Sequence, residues 1–229
     1  MARACHCSEP HERRRIVLTG GPGAGKTALL ELVRQSFCSH VKVLPEAAGI
    51  VFGGGFPRGD SILLRQAEQR AIFHVQRELE AAAGEAALVL CDRGTVDGGA
   101  YWPGPGDLWS AVGTTLADEL ARYDAVIHLR TPAASNGYNH SNPLRLESAS
   151  EASAIDDRIA GLWSGHPRLF TIEATPNFLG KASRALEILR AELPRCCQVQ
   201  IGRGLPLSST EGTSHGQDQR RMAQGQPHA

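Results

Sequence analysis

Lysine is nearly missing from this chain. Of the 24 Lys and Arg residues, the only lysines are Lys26, Lys42 and Lys181. No charge is in excess either, since 24 basic residues face 24 acidic ones. A chain with zero net charge exerts no long-range pull on nucleic acid or on an anionic membrane, so neither is expected as a partner. No apolar run approaches the roughly 18 residues that a membrane-crossing helix needs. Met1 to Arg15 is polar and basic, without the apolar stretch of a secretory signal. Arg13-Arg14-Arg15 has the look of a twin-arginine signal, but no suitable apolar region follows it.

Aromatic residues are scarce at 5%, and none follows Phe178. From Pro194 onward the chain is rich in Gly, Ser, Gln and Arg. A segment with so little to bury is expected to stay disordered. The expected division is therefore a flexible start over 1–13, one folded unit over 14–194 and a disordered tail over 195–229. A chain of 229 residues is long enough for one good core.

The cysteines number six: Cys5, Cys7, Cys38, Cys91, Cys196 and Cys197. Neither Cys5-His6-Cys7 nor Cys196-Cys197 has the usual zinc spacing. Cys91 ends an apolar run, as a reduced core cysteine does.

Against these absences stands one dense motif. Arg15-Ile16-Val17-Leu18-Thr19 leads into Gly20-Gly21-Pro22-Gly23-Ala24-Gly25-Lys26-Thr27, and Ala28 to Ser36 follows with helical character. This matches the phosphate-binding pattern G-x-x-x-x-G-K-[ST] between a strand and a helix. Glycines let backbone N–H groups turn toward a polyphosphate. The helix N-terminus adds its positive dipole end. Lys26 can reach the outer phosphates and the Thr27 hydroxyl can ligate Mg²⁺. In a chain with 25 glycines a chance match must be weighed. A scarce lysine in the required slot, with strand and helix in place, argues against chance. Residues 20–28 are thus the expected nucleotide site, with ATP and Mg²⁺ as ligands. For a nucleotide-using chain with these cysteines, the cytoplasm is the expected location.

The rest of the body alternates strand-like and helix-like segments. Strands are expected at 41–45, 87–91, 124–129 and 168–172. Helices are expected at 60–83, 107–123, 147–163 and 177–193. The first of these carries Leu63, Leu64, Ala67, Ala71, Val75 and Leu79 at near-helical spacing. With the first strand this makes an α/β fold, a five-stranded parallel sheet with helices on both faces. Ligands of such sheets bind beyond the C-terminal strand ends.

Three charged residues fall at those ends. Asp92 follows an apolar strand, where an acid helps hold Mg²⁺ opposite the P-loop threonine; the plainer reading is a cap or loop aspartate. Arg93 can stabilise charge on a transferring phosphoryl group or serve a structural ion pair. Glu46 ends the second strand, where a carboxylate can take a proton from an acceptor hydroxyl or cap the next helical turn. Asp97 is a second candidate for a metal or acceptor contact. Gly53-Gly54-Gly55-Phe56-Pro57-Arg58 reads equally as an acceptor-side loop or a connector. The long polar connection 131–146 holds Tyr138, His140, Asn142 and Arg145. Arg145, and Arg158 on the helix after it, are candidates to meet phosphates from a lid.

On Gly20 to Thr27, Pro45-Glu46-Ala47-Ala48, Asp92-Arg93-Gly94-Thr95-Val96-Asp97 with Tyr101, and Tyr138…Arg145-x-Glu147, the chain resembles a small P-loop AAA-like ATP-binding family. That family includes the ribosylnicotinamide kinase domain of a bacterial NAD-biosynthesis regulator and a eukaryotic receptor-channel trafficking protein. The resemblance spans about residues 14–193 and extends to the wider nucleoside- and nucleotide-kinase group. It implies ATP and Mg²⁺ binding, with Lys26 and Thr27 on nucleotide and metal, Asp92 on Mg²⁺, Glu46 near the acceptor and Arg145 in the lid.

Two functions follow. One is a phosphotransferase moving the γ-phosphoryl group of ATP to a nucleoside-, ribosyl- or nucleotide-like acceptor. The other is a regulatory or trafficking module that binds ATP and hydrolyses it slowly. A GTPase is disfavoured, since no Asn-Lys-x-Asp segment exists to read guanine.

Overall fold

The computed structural model describes residue 7 and residues 11–132, 149–175, 177–195 and 197–198. Five strands, β1 (Arg14–Thr19), β2 (Val41–Leu44), β3 (Leu88–Asp92), β4 (Ala125–Leu129) and β5 (Leu169–Ile172), form one sheet in the order β2-β3-β1-β4-β5. Every neighbouring pair is parallel. The expected five-stranded parallel α/β fold is the one observed.

Strand side chains alternate between two cores, as a period of two requires. Ile16, Leu18, Leu90 and Ile127 enter one core with α1 (Lys26–Ser36) and α7 (Phe178–Ala191). Val17, Val89, Cys91 and Val126 enter the other, with α3 (Ile62–Ala81) and α6 (Ala149–Trp163). Both faces are therefore covered, which is why the inner strands read as nearly unbroken apolar runs. Each fully buried Leu or Ile here stabilises by about 1.5–3 kcal/mol. Cys197, which falls in the tail expected from 195 onward, is buried in the first core.

The single helix expected over 107–123 is instead two short ones, α4 (Leu108–Val112) and α5 (Leu116–Leu120). Gly113 takes a left-handed φ of 75° and stops α4. Thr115 restarts the helix by accepting from the Asp118 N–H at 3.1 Å. Two further turns carry no clear periodicity: α2 (Ala47–Gly53), the helical turn that follows Glu46, and a 3₁₀ segment over Thr95–Tyr101, which was not expected.

The buried face of α3 also differs from the apolar spacing. Leu63 is 79% exposed, while Glu68, Gln69, Phe73, Gln76 and Glu80 are the buried residues of this helix. The reason is a polar network. Glu80 Oε1 accepts from the Tyr123 hydroxyl at 2.8 Å and from Gln76 Nε2 at 2.9 Å, and Arg122 donates to its other oxygen. Glu119, fully buried on α5, accepts from Thr95 Oγ1 at 2.7 Å and Arg77 Nη1 at 2.8 Å. The Thr95 N–H donates to the Tyr123 hydroxyl at 2.8 Å. Together these bonds anchor the start of the 3₁₀ segment.

Removing one partner of a buried ion pair leaves the others desolvated without compensation. Glu119→Ala should therefore lower the unfolding free energy by about 3 kcal/mol, the low end of the usual range, because Arg77 can relax into water. Urea unfolding measures it, and a variant as stable as the parent would show that the network adds nothing.

Candidate active site

The motif residues Gly20 to Gly25 turn from the end of β1 into α1. Gly20 has φ +137°, and a Cβ there would lie 2.1 Å from the Leu129 carbonyl oxygen. Only glycine lets the loop pass so close to β4. Lys26 folds back across the loop, its Nζ donating to the Gly20 and Gly21 carbonyls at 2.7 and 3.0 Å. Burial, reinforced by the Arg93 charge, lowers the Lys26 pKa to about 7. Thr27 is exposed on the first turn of α1.

Two residues that sequence reasoning missed brace this loop from behind. Asp156 on α6 accepts from the Gly21 N–H at 2.7 Å and the Thr131 N–H at 3.2 Å. It also takes His128 Nε2 at 2.8 Å and Arg130 Nη1 at 3.0 Å. Burial alone would raise its pKa, but the His128 and backbone hydrogen bonds hold it below the ordinary value. Lys181 on α7 donates to the Ala24 carbonyl at 2.9 Å and the Arg130 carbonyl at 2.6 Å. Burial lowers its pKa to about 8. Lys181's rarity as a residue type was a usable signal. Asp156 had none, because its partners lie far away in sequence.

At the end of β3, burial raises Asp92 to about 6, against the opposing charge of Lys26. Its Oδ1 is buried with no hydrogen-bond partner. A carboxylate oxygen left bare beside a phosphate loop suits a hard divalent cation.

Arg93 follows with φ 69°, the sole non-glycine residue at positive φ among the described residues. Such a conformation costs about 1–3 kcal/mol and persists only where contacts impose it. Here Nε donates to Glu46 Oε1 at 2.7 Å and Nη1 to the Gly20 carbonyl at 3.3 Å. The guanidinium also lies 3.7 Å from Asp97 Oδ1 and 5.6 Å from the Tyr101 ring centre. Burial opposes its charge, but Tyr101, Glu46 and Asp97 outweigh that and raise its pKa. Glu46 occupies the N-cap position of α2, yet its side chain caps nothing and is turned to Arg93 instead. Burial would raise Glu46, but Arg93 lowers it below the ordinary carboxylate value.

Asp97 is buried and accepts from Thr19 Oγ1 and from the Gly94 N–H at 2.8 Å. It ties the Asp92-Arg93-Gly94 turn to β1. A Cβ on Gly94 would meet the Trp163 ring at 2.8 Å, so the turn lies directly on α6. Arg158 donates to the Ala100 carbonyl at 2.9 Å and so steadies the 3₁₀ segment. In the 53–58 loop, Arg58 stacks 3.9 Å over the Phe52 ring. Tyr138 and Arg145 lie outside the described residues.

Lys26, Glu46, Asp92, Arg93 and Asp97 thus share one electrostatic cluster at the C-terminal end of the sheet. Its cations and carboxylates can hold polyphosphate, metal and an acceptor group.

Residues 15–178 match a family described as an AAA domain. No curated protein matches the chain. Among solved structures, it is similar to deoxyadenosine kinase from M. mycoides with bound dATP, at 12% identity and TM-score 0.54, over 77% of this chain and 99% of that one. Thymidylate kinase from Candida albicans aligns at 12% identity and TM-score 0.56, over 79% and 92%. The NadR protein in complex with NR aligns at 17% identity and TM-score 0.57, over 80% of this chain and 52% of that one. At these identities the likeness is one of fold: this is the P-loop architecture that nucleoside and nucleotide kinases use.

Proposed function

The chain belongs to this AAA-domain family, and we propose that it is a phosphotransferase, passing the γ-phosphoryl group of ATP to a small nucleoside-, ribosyl- or nucleotide-like acceptor. The observation that carries this reading is the Glu46–Arg93 pair. A purely regulatory binder needs the phosphate loop and a metal carboxylate. It has no need of a strained arginine that joins a second carboxylate to the loop carbonyl of Gly20.

In this reading residues 14–194 form the ATP-binding unit. The loop over Gly20 to Ala28 would hold the phosphates through Lys26 and its backbone amides, other than Pro22, which has no N–H, and Gly21, whose N–H is taken by Asp156. Thr27 and Asp92 would hold Mg²⁺, which neutralises charge on the phosphate oxygens. Arg93, which joins Glu46 to the Gly20 carbonyl of the loop, can meet charge on the transferring group. Glu46, held ionised by Arg93, takes the proton of the acceptor hydroxyl as the new O–P bond forms. Arg145 would close over the nucleotide from the segment between β4 and α6. Asp156 and Lys181 keep the loop in shape while its ligands come and go.

A screen of nucleosides, ribosyl compounds and nucleoside monophosphates for acceptor-dependent ADP release tests the proposal. At least one class should raise ADP release well above the rate with water alone. If Mg-ATP binds and no acceptor accelerates ADP release, the regulatory reading replaces this one.

Asp92 adds a pH dependence. Its raised pKa means the folded protein keeps a proton that the unfolded chain, at the ordinary value of 3.8, has already lost. The contribution of this group to stability therefore falls as pH rises from about 4 to about 6. Above that window the bare carboxylate is available to Mg²⁺. The extra melting temperature that Mg²⁺ adds to the ATP complex should be small at pH 5 and full at pH 7.5. Asp92→Asn should lack it at both, and a wild-type increment that ignores pH would remove Asp92 from the metal site.

A further inference from the structure

At the rim opposite the phosphate loop, two thiols and an imidazole converge from distant parts of the chain. Helix α1 ends, and the chain makes a tight turn in which the Val41 N–H bonds back to the Cys38 carbonyl at 3.0 Å. The turn sets the Cys38 thiol beside the His40 ring, with Sγ 3.7 Å from Nδ1. The His40 backbone is held in turn, since its carbonyl accepts from the Leu88 N–H at 3.0 Å where β3 begins. After α7 a second turn, closed by the Cys197 N–H to the Pro194 carbonyl at 2.9 Å, brings in the Cys197 thiol. Its Sγ lies 3.3 Å from His40 Nδ1 and 3.2 Å from Cys38 Sγ. All three ligand atoms fall within 4.8 Å of one another.

We propose that Cys38, His40 and Cys197 bind a thiophilic divalent transition-metal ion of the zinc class, which fastens the segment after α7 to the edge of the sheet. A tetrahedral ion with metal–sulfur bonds of about 2.3 Å needs sulfurs about 3.8 Å apart. The three atoms are already within about 0.6 Å of that spacing, so small side-chain rotations complete the set. Two thiolates and an imidazole select zinc-like ions over Mg²⁺ or Ca²⁺, which prefer oxygen. Both cysteines are buried, and His40 is half-buried, so the site is largely shielded from bulk water.

Among the described residues these three are the ligands, and two further donor residues lie close by. The His11 ring stands edge-on to His40 with centres 4.9 Å apart, and Cys7 Sγ lies 3.5 Å from His11 Nε2. Binding replaces the two thiol protons by the ion, M²⁺ + 2 RSH giving the dithiolate complex and two protons released to buffer, with no change of oxidation state. The site is remote from Lys26 and Asp92, and its role is to hold the fold together.

Cobalt titration of the reduced, chelator-treated full-length chain tests this. One equivalent of Co²⁺ should produce a thiolate-to-metal charge-transfer band in the near ultraviolet, with d–d bands in the visible. One equivalent of Zn²⁺ should abolish both and raise the melting temperature. Cys38→Ser and Cys197→Ser should each lose most of the charge-transfer intensity. His40→Cys, which keeps a ligand, should retain the band with a shifted maximum. Cys91→Ala, in the other core, should leave it unchanged. The wild-type titration is decisive even where a serine variant does not fold. No band in the wild type, or a band that survives both serine changes, overturns the proposal. So does recovery of a Cys38–Cys197 disulfide peptide from protein kept under reductant.

Discussion

Lys26→Ala should abolish the response of this protein to ATP while leaving its fold intact. In the wild type, Mg-ATP at 100 times its dissociation constant should add about 2.7 kcal/mol of stability. The variant should show almost none of that shift and no measurable ADP release. Lys26 supplies positive charge where phosphate charge collects, and nothing else in the loop can replace it. Among the described residues its hydrogen bonds run to the carbonyls of Gly20 and Gly21, while the loop shape is held by Asp156 and Lys181. The unliganded variant carries a second signature. The lysine's folded pKa of about 7 lies below the ordinary 10.5. The cost of burying its charge is therefore fully present below pH 7 and fades as pH rises from there to about 10.5. At pH 6 the unliganded variant should melt no lower than wild type. A folded Lys26→Ala protein that still turns over ATP at a near-normal rate would place the nucleotide elsewhere.

Glu46→Gln should slow acceptor-dependent phosphoryl transfer by roughly 10²–10⁴-fold, with ATP affinity little changed. The amide oxygen can still accept from Arg93 Nε, so the arginine keeps its place and only the proton-accepting charge is removed. Steady-state kinetics should therefore show the loss in kcat, with the ATP KM near its original value. Arg93→Lys makes the complementary change. It removes the planar fork that reaches both Glu46 and Gly20, and lysine cannot reproduce both bonds. Equal acceptor-dependent rates in wild type and Glu46→Gln would leave the phosphate loop standing and take the glutamate out of the chemistry.

Much of the fold was legible because its signals are local. Strand β3 is a short buried run, Leu88 to Cys91, that no helix of useful length could share. The phosphate loop announces itself through contiguous residues, since the chemistry there uses the backbone of one turn. Asp92 and Glu46 could be placed at the site because parallel strands deliver their C-terminal ends to one rim. The periodicity of α3 announced the helix but not its buried face, because the helix buries Glu68, Gln76 and Glu80, and a buried carboxylate looks like a surface residue until its partners are known.

Sequence alone determined the class of sheet, the position of the phosphate loop and the strand ends that face it. These depend on short-range pattern and on the backbone geometry of one motif. Only the tertiary structure decided which charges meet. It turned Glu46 away from its helix and onto Arg93, put Asp156 and Lys181 behind the loop, and brought Cys38 and His40 to Cys197 across separations of 159 and 157 residues. Side chains that meet across crossovers leave no periodic trace, because their spacing along the chain is set by the intervening helices and not by the contact itself.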